Sequence, residues 1–301
     1  MNPIWSGEMR LGINHHLLFP RSFDSAEAHS ATLPQVLAME PFEAVDLFLL
    51  YEGDAAERVV EQVQASGKEV IYNCPLMIGD GLNPHSFDAG VRSRTIERLY
   101  THLNRAKRLG ARKIVIASGV DPEPSAREAQ AALFVDYIVQ ACAYAGPEVE
   151  LLLEPFDRGI GKHLLIGPSM EARAVVEQVH ALGALNFGIL LDMGHVPIMN
   201  ETFEHAAGVL GPYIRHVHLG NCVMRDSTNP LYGDMHPPWG YPGGENDGAE
   251  AARFLRALRS CGYLAPGKRP TVTLEMRPYP GMSEAESVAV FLEKLGQACC
   301  G

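Results

Sequence analysis

Short apolar runs recur along this chain, and a stretch of helical periodicity follows most of them. The runs are RLGIN (10–14), VDLFLL (45–50), EVIYN (69–73), KIVIAS (113–118), VELLLE (149–154), FGILLD (187–192), IRHVHL (214–219) and TVTLE (271–275). Most are continuous rather than alternating, as expected of strands buried on both faces. Between them, AAERVVEQVQASG (55–67) and DAGVRSRTIERLYTHLNRAKRLG (88–110) repeat apolar residues at i, i+3 and i+4. Gly67 and Gly110 stand where these helices should stop. Eight strands alternating with helices predict an α/β fold, a (β/α)8 TIM barrel, with 1–301 as one domain. An open doubly wound sheet is the alternative, but no G-x-G-x-x-G follows the first run.

A barrel gathers its active site at the carboxyl ends of its strands. The runs end in Asn14, His15 and His16; Tyr51 and Glu52; Asn73 and Cys74; Ser118; Glu154; Asp192, with His195 beyond it; His218; and Glu275, with Arg277 beyond it. A carboxylate at the end of a buried strand needs a partner, because an isolated buried charge is costly. Each can find its own Arg, Lys or helix amide, but only Arg158, Lys162 and Arg277 are near in sequence. One divalent cation would answer Glu154, Asp192, His218 and Glu275 together. Three carboxylates and an imidazole suit Mn²⁺ first, then Mg²⁺, Co²⁺ or Zn²⁺. His216, two residues before His218 on the same strand face, reads as a hydrogen-bonded core histidine.

The stretch after the seventh run is long, polar and rich in Gly and Pro. Such loops are functional or disordered, and Tyr232, Trp239 and Tyr241 argue against disorder. Residues 221–246 are expected to cover the pocket, with Trp239 and the two tyrosines offering faces to a sugar ring or aromatic aglycone. A subunit contact is the competing reading. Asp247 is expected to cap the helix GAEAARFLRALRS.

Composition narrows the partners. A net charge of −11 with scattered basic residues disfavours nucleic acid and anionic membranes. The six cysteines form no C-x-x-C pair and fit a reducing cytoplasm. No apolar run reaches the ~20 residues of a membrane helix, and the first residues lack a signal pattern. A cytoplasmic protein is expected.

The pieces LLLEP (151–155), LLDMGH (190–195), HVHLGN (216–221), PGGEND (242–247) and TLEMRP (273–278) resemble the xylose-isomerase-like TIM-barrel superfamily, in particular its sugar isomerase and 3-epimerase branch. The resemblance implies that Glu154, Asp192, His218 and Glu275 ligate the metal, that the two Glu form an acid/base pair, and that His195 touches substrate. It implies proton transfer alpha to the carbonyl of a ketose or related carbohydrate. A second branch cleaves 3-oxo-glycosides by enolate-driven elimination, sometimes with a small partner subunit, and the long loop is similar to that group. Elimination needs a further proton donor, for which His15, His16, His163 and His236 are candidates. Asp234 and His236 resemble the D-x-H pair of apurinic endonucleases, but the third and fourth runs end without the His of that branch. A non-catalytic binding barrel is the remaining reading; the expected partner is a small-molecule carbohydrate, with a homo-oligomer compatible with the fold and a small partner subunit only in the elimination case. Substrate contacts are expected from His15, His16, His195, Trp239 and Arg277, and catalysis from Glu154, Glu275, His195 and His236.

Overall fold

The computed structural model describes residues 4–300, so the outermost ends of the expected 1–301 span lie outside the described residues. Eight parallel strands close into a barrel in sequence order. They are β1 (Arg10–Asn14), β2 (Ala44–Leu47), β3 (Glu69–Asn73), β4 (Lys113–Ile116), β5 (Glu150–Leu153), β6 (Phe187–Asp192), β7 (Ile214–Leu219) and β8 (Thr271–Leu274). The β1–β8 pairing, from Arg10 opposite Thr271 to Ile13 opposite Leu274, closes the ring. The fold is therefore the (β/α)8 TIM barrel that the alternating runs predict.

The strands read as continuous apolar runs because each face has its own core. Outward-facing Leu11, Ile13, Val45, Tyr72, Ile114, Leu151, Ile189, Val217 and Val272 join one large cluster with the helices. The inward face is divided. Ala44, Ile71, Val115, Leu152 and Leu190 form a separate apolar cluster. Asp46, His216, His218, Thr271 and Thr273, all buried, supply the polar remainder of the β2, β7 and β8 interior.

Helix signals in the sequence hold locally. Asp88 caps Ala89–Arg108, its Oδ1 accepting from the Gly90 N–H at 2.7 Å. Gly67 ends Asp54–Ser66 in the left-handed conformation, φ 67°, which glycine adopts without a Cβ penalty. Asp247 precedes Gly248–Ser260, and Glu250 accepts from the Asp247 N–H at 3.0 Å, a capping box. The helix Ala26–Leu37 has no counterpart among the expected elements; it carries Pro34 in its interior. β2 stops at Leu47 and β4 at Ile116, short of the apolar runs that announced them. Among the described residues no helix is long and apolar enough to cross a membrane.

Candidate functional site

β5 through β8 deliver four side chains to one point at the carboxyl end of the barrel. Glu154 follows β5, Asp192 ends β6, His218 lies near the end of β7 and Glu275 follows β8. One ligand atom from each lies within 4.8 Å of the others. His218 Nδ1 is 2.6 Å from Glu275 Oε2 and 3.7 Å from both Glu154 Oε1 and Asp192 Oδ2. None of Asp192 Oδ2, His218 Nδ1 and Glu275 Oε2 has a hydrogen-bond partner, although all three are buried. Orphaned buried polar atoms are rare, and three that converge fit a cation. Among the described residues no Lys or Arg forms an ion pair with Glu154, Asp192 or Glu275. Of the nearby cations named from sequence, Arg158 pairs with Glu171 and Asp121 instead.

The electrostatics follow from this crowding. Burial pushes the Asp192 carboxyl up to about 7, with His195 pulling it down and Glu275 adding to the rise. Burial also opposes protonation of His218, but Glu275 and the other carboxylates outweigh it and raise the imidazole well above its ordinary value. The backbone is shaped to Asp192: its Oδ1 accepts from the Gly194 N–H, and a Cβ on Gly220 would fall 2.5 Å from the same oxygen. Asn14 Nδ2 donates to Glu275 Oε1 at 2.8 Å, which orients that carboxylate from β1.

A second group lies beside the first. His195, Asp234 and His236 also present ligand atoms within 4.8 Å of one another. His195 Nε2 is 3.1 Å and His236 Nε2 3.2 Å from Asp234 Oδ1. His195 Nδ1 lies 3.1 Å from the Pro155 carbonyl and 3.7 Å from Glu154 Oε1. His236 Nδ1 is 3.8 Å from Glu275 Oε2. Each Glu thus has an imidazole beside it. Burial would keep His195 neutral, but Asp234 and Asp192 raise it well above its ordinary value, whereas burial pulls His236 below its own. His236 has φ 52°, a left-handed conformation that costs a non-glycine residue energy and clusters at functional sites.

The cavity over these groups has a volume of about 410 Å³ and two unlike sides. From the β5, β7 and β8 ends come Glu154, Lys162, Asp234, His236, Glu275 and Arg277, with Phe156 and Met235 among them; from the β1–β4 ends come the mainly apolar Leu17, Phe23, Phe48, Leu50, Leu76, Val115 and Ile116, with the polar Asn14, His16 and Asn73. Lys162 Nζ is 3.3 Å from Asp234 Oδ2, and Arg277 Nε donates to the Met235 carbonyl at 2.8 Å, so both cations clamp the 234–236 segment.

Several expectations need correction. Trp239 is fully buried in the core, its Nε1 directed at the Gly220 carbonyl, and offers no face to a ligand. Only residues 234–236 of the long loop line the cavity; Tyr232 and Tyr241 do not. The loop folds down because Asn221 and Asn246 tie its ends together: Asn221 Oδ1 accepts from the Asn246 N–H at 2.8 Å, and Asn246 Nδ2 donates to the Gly220 carbonyl at 3.1 Å. His15 is buried against Thr32 and His29, away from the cavity. His16 does line the cavity, but its Nε2 accepts from the Phe48 N–H at 2.7 Å and is not free for substrate. His163 is exposed and hydrogen-bonds the Arg158 carbonyl, so it drops out as a proton donor. The sequence reading missed Asp46, whose carboxylate lies 2.8 Å from His218 Nε2 and 3.2 Å from His216 Nε2. Burial would raise its pKa, but the two imidazoles hold it below the ordinary range.

Among curated proteins, no sequence matches this chain significantly. Solved structures do resemble it. A D-allulose 3-epimerase from Methylomonas sp. superposes with a TM-score of 0.71 at 17% identity, covering 97% of this chain and 96% of its own. A D-tagatose 3-epimerase-like protein gives 0.69 at 18%, covering 95% and 97%. The IOLI protein, solved with a zinc atom, gives 0.66 at 16%, covering 96% of each chain. The family model described as xylose isomerase-like TIM barrel matches residues 35–295. The chain belongs to the xylose isomerase-like TIM barrel family.

Proposed function

We propose that this protein is a divalent-metal-dependent sugar isomerase or epimerase that moves a proton alpha to the carbonyl of a ketose. The observation that carries the reading is the convergence of Glu154, Asp192, His218 and Glu275, with Glu154 and Glu275 also lining the cavity. The similarity to structures titled as sugar 3-epimerases supports it. The orphaned buried atoms of Asp192, His218 and Glu275 fit a divalent ion, with Mn²⁺ first and Mg²⁺, Co²⁺ or Zn²⁺ as alternatives. When bound, the ion supplies positive charge that stabilises an enolate oxygen and so acidifies the neighbouring C–H.

The chain's own residues do the rest. Glu154 and Glu275 stand on strands three apart in the ring, so a substrate between them offers opposite faces of one carbon to two carboxyl groups. One removes the proton, and the other returns one from the far side. His195 stands beside Glu154 and His236 beside Glu275, so the two carboxyl groups sit in different surroundings. Phe48, Leu76 and Phe156 give the cavity an apolar stretch of wall.

A second reading shares the first step. The apolar side of the cavity would take an aglycone, and a 3-oxo-glycoside would then eliminate it, the leaving group taking its proton from the protonated His195 rather than from His236, which burial keeps neutral. A panel of free ketoses and 3-oxo-glycosides assayed with Mn²⁺ in deuterated water tests both. Solvent deuterium in an epimerised or isomerised sugar supports the first reading, and release of aglycone supports the second. Inactivity across the panel with stoichiometric metal bound would overturn both.

A further inference from the structure

The interior of the barrel beneath the cavity carries a line of polar side chains. Lys113 Nζ donates to Thr271 Oγ1 at 2.8 Å, and that oxygen lies 2.8 Å from His216 Nδ1. His216 Nε2 is 3.2 Å from Asp46 Oδ2, and His218 Nε2 is 2.8 Å from the same oxygen. Thr273 donates to the other oxygen, Asp46 Oδ1, at 2.6 Å. Asp46, His216, His218, Thr271 and Thr273 are all fully buried.

The proton on each ring follows from what each partner can do. An ionised carboxylate only accepts, so both rings present an Nε2–H to Asp46. A neutral imidazole protonated at Nε2 keeps its lone pair on Nδ1. At His216 that lone pair receives the Thr271 hydroxyl proton, and the Thr271 oxygen in turn accepts from Lys113. At His218 Nδ1 faces Glu154, Asp192 and Glu275 instead, so its lone pair is free for an ion once Nδ1 gives up its proton on binding. The ligand atoms of Asp46, His216 and His218 lie close enough to hold an ion themselves, but both Nε2 atoms are spent as donors.

We propose that Asp46 is the positioning residue of the metal centre: it holds His218 in the Nε2–H form and aims its Nδ1 at the ion. This rests on the metal-centre reading above. Asp46 touches neither ion nor substrate; it acts through His218, in the way that outer carboxylates fix the tautomer of ligating histidines.

Mn²⁺ titration calorimetry on the chelator-stripped full chain tests the role, using wild type, Asp46→Ala, Asp46→Asn and Thr271→Val. Asp46→Ala should weaken Mn²⁺ binding by about 10- to 100-fold. Asp46→Asn should recover most of that loss, because its amide oxygen still accepts the N–H. Thr271→Val, which disturbs the same interior below His216, should bind as wild type does. Wild-type affinity in Asp46→Ala, or an equal loss in Thr271→Val, would overturn the role while leaving the centre standing. Wild type that binds no divalent ion would overturn the centre and the role together. Imidazole ¹⁵N NMR of the Zn²⁺-loaded wild type needs no variant to fold: a His218 Nε2–H with Nδ1 on the ion is expected, and ligation through Nε2 would refute the inference.

Discussion

His218 Nδ1 and Glu275 Oε2 approach to 2.6 Å without forming a hydrogen bond, and both are buried. Atoms so placed repel unless a proton or a metal ion bound by both joins them. Glu154→Gln, Asp192→Asn, His218→Ala and Glu275→Gln should therefore each lower metal affinity and turnover by orders of magnitude. Wild-type affinity should rise with pH, since the Asp192 carboxyl, raised to about 7, and the His218 imidazole, raised above its ordinary value, must both shed protons to bind. Full metal occupancy in all four variants, measured by elemental analysis, would remove the assignment.

His236 and Trp239 come from one loop but should respond differently. His236→Ala, at the cavity, should reduce turnover and leave the metal bound. Trp239→Ala removes a fully buried indole and should cost about 3–5 kcal/mol of stability. Denaturant unfolding and steady-state kinetics on both variants check this; a Trp239→Ala protein of native stability with a raised KM would return the indole to the substrate.

Gly220→Ala tests how closely the backbone is fitted to Asp192. Its Cβ would lie 2.5 Å from Asp192 Oδ1, so the carboxylate must turn away. Metal affinity should fall without loss of the barrel's circular dichroism. Unchanged affinity would mean that Asp192 is free to move.

Acid should destabilise the chain through two histidines remote from the metal ligands. His29 bonds Tyr51, His102 bonds Tyr72, and burial pulls each from 6.5 down to about 4. A histidine that protonates more readily when unfolded leaves stability intact above 6.5 and removes it as pH falls toward 4. Denaturant titrations in chelator at pH 7.5 and 5 should show this loss, and His29→Gln and His102→Gln should each shrink it. An undiminished loss in both variants would place the acid sensitivity elsewhere.

Much of this was readable because strand ends are readable. Glu154, Asp192, His218 and Glu275 each lie at or beside the end of an apolar run, and the fold rule for barrels carries them to one rim. Asp46 escaped because VDLFLL looks like one strand running to Leu50; the backbone leaves the barrel at Leu47, while Phe48 and Leu50 stay apolar to line the cavity. Trp239 misled because Gly and Pro around an aromatic resemble an open loop. The bonds that hold it in place, to Gly220, Tyr279 and Lys294, reach 19 to 55 residues along the chain and follow no local period. The helix at Ala26–Leu37 hid behind Pro34.

The two unlike sides of the cavity also fix a direction. A guest with a polar, chelating end and a greasy end has a single favourable way to lie between the charged arc and the aromatic one, since reversal would strand carboxylates against hydrocarbon. In the proposed reaction, that orientation would set which carbon of such a guest meets Glu154 and Glu275. Regiochemistry would then be a property of the vestibule, open to redesign from Phe23, Phe48 and Leu76 without touching a charged residue.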